Sequence, residues 1–180
     1  MIIAIDDEKR TFSYKCICCG EICEGGPSFA YNEPCHTSAI PDEEKEKRVR
    51  LNSDLCVLDE EQFFIRATLE VPIKDTRDSF LWGVWVSQSK ESFDRYIETF
   101  NEDQTGDGSF GWLTVSMPGY TKEGAKFIDL PTNVHWGTER PEIQIHDDQD
   151  HPLALDQREG ISWDRAVELA VLLCERKKLR

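Results

Sequence analysis

Four of the chain's seven cysteines crowd into "YKCICCGEIC", residues 14–23. Cys16 and Cys19 form a Cys-x-x-Cys followed by Gly20. In such a knuckle two thiolates converge on one ion while a tight turn exposes amides toward the sulfurs. A structural zinc needs four ligands, and no second Cys-x-x-Cys is present. The remaining donors must come from Cys23, from Cys35 and His36 side by side in "EPCHTS", or from Cys56. Thiolate donors favour zinc over harder cations. The competing account keeps these thiols reduced, each acting as a small hydrophobe. A redox role for Cys16 and Cys19 would want the start of a helix inside a βαβ pattern, whereas glycines and turns follow here.

A second group of residues with chemical potential lies in "DHPLALDQREG", residues 150–160. His151 is the best acid–base candidate, with Asp150 to tune it and Asp156 or Glu159 as carboxylate partner. The structural account has Asp150 capping a helix that begins at His-Pro, and it is favoured. His146, Asp147, Asp148 and Asp150 offer oxygen-rich ligands for a hard cation, but the EF-hand spacing and closing glutamate are missing, so a solvated acidic loop is expected. No G-x-S-x-G elbow, phosphate-binding glycine loop or zinc-deaminase signature occurs. Among the five tryptophans, Trp82, Trp85 and Trp163 fall on apolar stripes and belong to the core. Trp112 and Trp136 flank glycine-containing turns and are the candidates for lining a groove.

These residues have to be positioned by a scaffold of 180 residues, long enough to bury a core without staples. The hydrophobic share is 39% and the formal net charge is -14, which repels phosphate backbones and anionic membranes. Nucleic acid and membrane partners are therefore not expected. A basic protein partner suits the charge. The start of the chain lacks the positive segment and long apolar stretch of a signal peptide, so the expected location is cytoplasmic.

Alternating β-branched and aromatic runs predict strands at residues 11–14, 55–59, 62–73, 80–88, 109–115, 132–138 and 141–146. Phe80, Trp82, Val84 and Val86 share one face of their strand and Leu81 and Trp85 the other, which marks a central strand covered on two sides. Gly83 between the two tryptophans predicts a close approach or a bulge. "PDEEKEKR", residues 41–48, reads as a short helix with acids early and bases late. Ser89 is expected to cap a helix over 90–100, and Ser162 a closing one. On that last helix Trp163, Ala166, Val167, Ala170, Val171 and Cys174 are expected to form the buried stripe.

The stretches "KCICCGE", "SDLCVLDEEQFFIRATLEVPI", "FLWGVWVSQSKESFDRY", "FGWL", "PGY" and "DHPLALDQREGIS" together resemble a bacterial family known only as a domain of unknown function, number 2199. The resemblance implies a small bacterial cytosolic protein and a zinc-knuckle-like look for Cys16-x-x-Cys19-Gly20. In the family a histidine often stands near the position of Cys23, so the ligand set departs from the pattern there.

The expected fold is α+β: a mostly antiparallel sheet of five to seven strands flanked by two longer helices, with a small N-terminal zinc-knuckle-like cysteine cluster. One compact domain is expected, with a knuckle subsection at 1–36 and the α+β core at 37–180. The favoured function is a non-enzymatic binding or regulatory module with a structural zinc. The alternative is an enzyme built around His151 and Glu159.

Overall fold

The computed structural model describes residues 2–15 and 20–178 of the chain. Fifteen elements follow one another: strands β1 (Ile2–Asp6), β2 (Thr11–Lys15), β3 (Ile22–Gly25) and β4 (Ser28–Ala30), helix α1 (Asp42–Arg48), strands β5 (Val49–Leu51), β6 (Leu55–Leu58), β7 (Gln62–Pro72) and β8 (Ser79–Gln88), helix α2 (Lys90–Glu98), strands β9 (Gly108–Val115), β10 (Ile128–His135) and β11 (Glu142–Ile145), and helices α3 (Pro152–Glu159) and α4 (Trp163–Lys178). The class is α+β, as expected, but the sheet is not an open layer with helices on it. Strands β8, β9, β10, β11 and β7 pair in that order, and β7 pairs back onto β8, so five strands close into a barrel. Two pairings are parallel, β11 with β7 and β4 with β8.

Closure follows from the length of the two central strands. β7 has 11 residues and β8 has 10, paired antiparallel over their whole shared length. Strands this long accumulate twist, so one neighbour cannot follow an edge from end to end. The free edge of β7 is accordingly divided. β6 takes Gln62 to Ile65 and β11 takes Thr68 and Leu69. The free edge of β8 is divided too: β4 takes Leu81 to Gly83, and β9 reaches it only where Val86 faces Leu113. Closing the ring leaves the five barrel strands only short stretches of unpaired edge between these shared segments.

Both faces of β8 are covered. Phe80, Trp82, Val84 and Val86 are essentially solvent-free within the main core, together with Ile65, Leu69 and Val71 of β7 and Leu113 of β9. Trp85 lies in a second cluster with Cys56, Leu58 and Phe64, against which Tyr31, Ile40 and Val49 pack. Gly83 is the close approach anticipated: a Cβ there would stand 2.9 Å from the Ala30 Cβ. A side chain at Gly83 would push β4 off the barrel.

Helices α2 and α4 begin as their sequences dictate. Ser89 accepts a hydrogen bond from the Ser92 amide at 3.1 Å, and Ser162 Oγ accepts one from the Arg165 amide at 3.2 Å. The buried face of α4 differs from the expected stripe. Ala166, Leu169, Ala170 and Leu173 are buried, while Val171 is exposed and Val167 and Cys174 are only half-covered. A separate antiparallel sheet of β1, β2 and β3 stands beside the barrel. It is held through Phe12, whose ring lies 4.7 Å from that of Trp163, and by the Trp163 indole N–H donating to Asp7 at 2.8 Å. No helix is long and apolar enough to cross a membrane among the described residues.

Candidate functional site

The nominated metal ligands are spread over several elements. Cys16 and Cys19, with Cys18 between them, lie outside the described residues. Cys23 sits in β3 opposite Tyr14. Cys35 and His36 lie on the segment that follows β4, their Sγ and Nδ1 3.6 Å apart. The Cys35 thiol donates to the Thr114 carbonyl at 3.0 Å, and the His36 ring lies 4.9 Å from that of Phe64. Cys56 is wholly buried opposite Phe64. Burial pushes the thiols of Cys35 and Cys56 up to about 11, and the carboxylates of Asp129 and Glu33 respectively add to the shift. At neutral pH both are therefore protonated hydrogen-bond or packing groups, and a protonated thiol is a poor nucleophile. Among the described residues no three His, Cys, Asp or Glu side chains come together to hold a metal. The fold thus shows no zinc cluster in the residues it describes.

His151 has a structural job. It is itself the N-cap of α3, its Nδ1 accepting from the Leu153 amide at 3.2 Å, so the cap is His151 rather than Asp150. Glu159 ends the same helix, about 12 Å further along the axis at the usual rise per residue. Asp156 between them accepts from the Tyr120 hydroxyl at 2.9 Å. The histidine and Glu159 therefore sit at opposite ends of one helix. Burial lowers the His151 pKa, and Lys122 lowers it further, which keeps the ring neutral and able to accept. In the acidic loop the His146 Nε2 pairs with Asn133 Oδ1 at 3.1 Å and its ring lies edge-on to Phe110.

The tryptophans separate the buried from the presented. Trp82, Trp85 and Trp163 are core residues, as expected. Trp136 is core as well and lines no groove. It is 4% exposed, packs edge-on to Tyr96 and carries the Arg95 guanidinium on its ring. Trp112 is the one that faces outward, at 43% exposure. Strand alternation explains it. In β9 Gly111, Leu113 and Val115 point into the barrel, so Phe110, Trp112 and Thr114 point out. Phe110 is 49% exposed and meets Trp112 edge-to-face with ring centroids 5.8 Å apart.

Around these two rings the barrel surface is polar and acidic. On β10, Asn133 stands opposite Phe110, Pro131 opposite Trp112, and Asp129 opposite Thr114. Asp129 accepts from the Thr114 hydroxyl. Asp147 and Asp148 follow His146 on the loop beyond β11, and Asp129, Asp147 and Asp148 are all exposed. Phe127, 37% exposed, continues the aromatic line past Asp129. Alternation along "SFGWLTV" is the sequence signal for an outward Phe110 and Trp112, given an inward Leu113.

The family model described as an uncharacterised protein conserved in bacteria, DUF2199, matches residues 15–161. No curated protein and no solved structure matches the chain.

Proposed function

The chain belongs to the DUF2199 family of uncharacterised proteins conserved in bacteria, and we propose that it is a non-enzymatic binding module that docks a basic protein segment on the outer face of β9 and β10. One observation carries the reading: two large rings, Phe110 and Trp112, held edge-to-face in the open on a rigid barrel strand with acids beside them. Pre-positioned aromatics lose little entropy on binding and are the commonest anchors of interfaces. The exposed carboxylates of Asp129, Asp147 and Asp148, in a chain of net charge -14, select lysine and arginine in a partner. The enzyme alternative around His151 and Glu159 gains no support from side chains at opposite ends of α3. A structural zinc held by Cys16 and Cys19 remains part of this proposal, with two further donors to be drawn from Cys23, Cys35, His36 or Cys56.

Panning a random phage-displayed peptide library on the full chain tests the docking face. The enriched peptides should carry Lys or Arg beside an apolar anchor. Synthetic copies should bind at least about tenfold more weakly to Trp112→Ala, the loss typical of an interface anchor. Their affinity should also fall as salt rises from 50 to 300 mM, values chosen to span the screening range. Enriched peptides that are acidic, or that bind Trp112→Ala unchanged, would sink the reading.

A further inference from the structure

Phe110 and Trp112 stand at 88° to one another with ring centroids 5.8 Å apart. Two rings so placed line one corner with a face of each, and the face is the negative side of the aromatic quadrupole. Both rings are close to half exposed, so the corner is reachable from solvent. Beside it opens a groove of about 270 Å³ lined by Asn133, His146, Asp147 and Asp148. The groove adjoins Phe110, because Asn133 stands opposite that residue across the strand pair and the His146 ring lies 5.6 Å from its ring. Asp129 is one diagonal step from Trp112 across the same pair, within reach of a long side chain. Carboxylates thus flank the corner at both ends, in a chain of formal net charge -14.

The rings themselves offer no hydrogen-bond acceptor. Of their polar neighbours, the Ser87 hydroxyl takes the Trp112 amide at 3.2 Å, and the Pro131 carbonyl, opposite Trp112, takes the His146 amide at 3.0 Å. A primary ammonium or a guanidinium pressed into the corner would turn N–H donors against ring faces and lose their water. A quaternary ammonium has no N–H to strip of water, and its methyl-clad charge suits ring faces.

We propose that the Phe110–Trp112 corner receives the head of a methylated lysine in the partner's basic segment, while Asp129, Asp147 and Asp148 meet the lysines or arginines beside it. The inference rests on the docking reading and names the anchor group which that reading leaves open. A phosphocholine headgroup carries the same cation but brings a phosphate with it, which those carboxylates repel. A protein side chain is therefore the occupant.

Three versions of one short peptide test it, each with arginines flanking a central residue. That residue is lysine, Nε-trimethyllysine, or the same trimethyl side chain with carbon in place of the quaternary nitrogen. Each is titrated into the ¹⁵N-labelled full chain while the Trp112 indole N–H is followed, identified by its absence from Trp112→Phe. The trimethyllysine peptide should bind about fivefold to thirtyfold more tightly than its carbon analogue, the worth of two exposed cation–π contacts. It should bind at least about threefold more tightly than the lysine peptide, whose N–H donors go unmet. Phe110→Leu keeps apolar area but removes one ring face, and should bring the trimethyllysine and carbon peptides to within about threefold of each other. A carbon analogue or a lysine peptide as tight as the trimethyllysine one overturns the methyl-lysine assignment. The docking reading survives that result if all three peptides still weaken on Trp112→Ala. A Trp112 resonance unmoved by every peptide overturns the assignment too, with the library-derived peptides deciding the docking face separately. Choline chloride and phosphatidylcholine vesicles are titrated alongside, and either one matching the trimethyllysine peptide overturns a protein side chain as the occupant.

Discussion

His151 closes the first turn of α3 by accepting a backbone N–H, a job that only the neutral ring can do. Burial and Lys122 hold its folded pKa below the ordinary value of 6.5. The sign follows directly. The unfolded chain takes up the proton first, so this contribution to stability is fully present above about pH 6.5 and is lost as pH falls through the lower folded value. His36, lowered by burial against an opposing pull from Asp129, acts in the same direction. Urea midpoints measured from pH 8 down to pH 5.5 should fall once pH drops below 6.5. His151→Asn keeps an acceptor at the cap and should flatten that fall. His151→Ala should cost about 1 kcal/mol already at pH 8, the usual value of a lost cap. An Asn variant with the parent's full slope would refute the account. Cys35 shows the same discipline at a second residue. Its half-buried protonated thiol is a donor to Thr114, which is why adjacency to His36 does not make it a nucleophile.

Helix α4 shows how an element's partner, rather than its own pattern, selects the face that is buried. Its sequence is apolar on two stripes, one through Val167, Val171 and Cys174 and one through Leu169 and Leu173. Both satisfy helical spacing, and at 3.6 residues per turn their centres lie about two-fifths of a turn apart. The turn at Met117 to Tyr120 breaks the tie. Gly119 there has φ +82, and a Cβ on it would lie 2.4 Å from the Leu169 Cδ2. Leu169 is thus packed against backbone and Val171 is left outside. Leu169→Ala should cost about 2–5 kcal/mol, the range for a truncated core leucine. Val171→Ala should change stability by no more than about 0.5 kcal/mol, as exposed positions do. Equal losses on chemical denaturation would mean that the helix is rotated from this placement.

At the scale of the whole molecule, the closed barrel carries two separate surfaces and an appended sheet. The proposed docking face lies on β9 and β10, and a cleft lies where β4 and β9 share the edge of β8. The three-stranded sheet of β1, β2 and β3 reaches the barrel side through Phe12, Asp7 and the Arg10–Asp75 ion pair. An exposed ion pair of that kind contributes little, so the ring contact and the indole hydrogen bond carry the attachment. Cys16 and Cys19, the proposed zinc ligands, fall between β2 and β3 in the sequence. Protein purified without chelator should then contain close to one zinc per chain by elemental analysis. Cys16→Ser and Cys19→Ser should each lose the metal and lower the melting temperature. Metal-free protein of unchanged stability would remove zinc from the proposal.

Much of the element inventory was legible before any tertiary contact was known. The long strands, the caps at Ser89 and Ser162, the covered double face of β8 and the close approach at Gly83 all follow from local rules. Alternation, capping chemistry and the absence of a Cβ act within a few residues, and the chain states them directly. The very short strands β3, β4 and β5 escaped, because three or four residues carry no periodic signal. The closure of the barrel escaped for a different reason. It depends on residues 142 and 143 meeting 68 and 69 in parallel, a pairing across more than seventy positions. Sequence distance also hid the fate of Trp136, which looked available until Tyr96 and Arg95, some forty positions away, covered it. At His151 the expected helix start held, but the cap is His151 itself and not Asp150. Residue types were written in the sequence, whereas exposure, partnership and the cleft between β4 and β9 arose only when distant strands shared an edge.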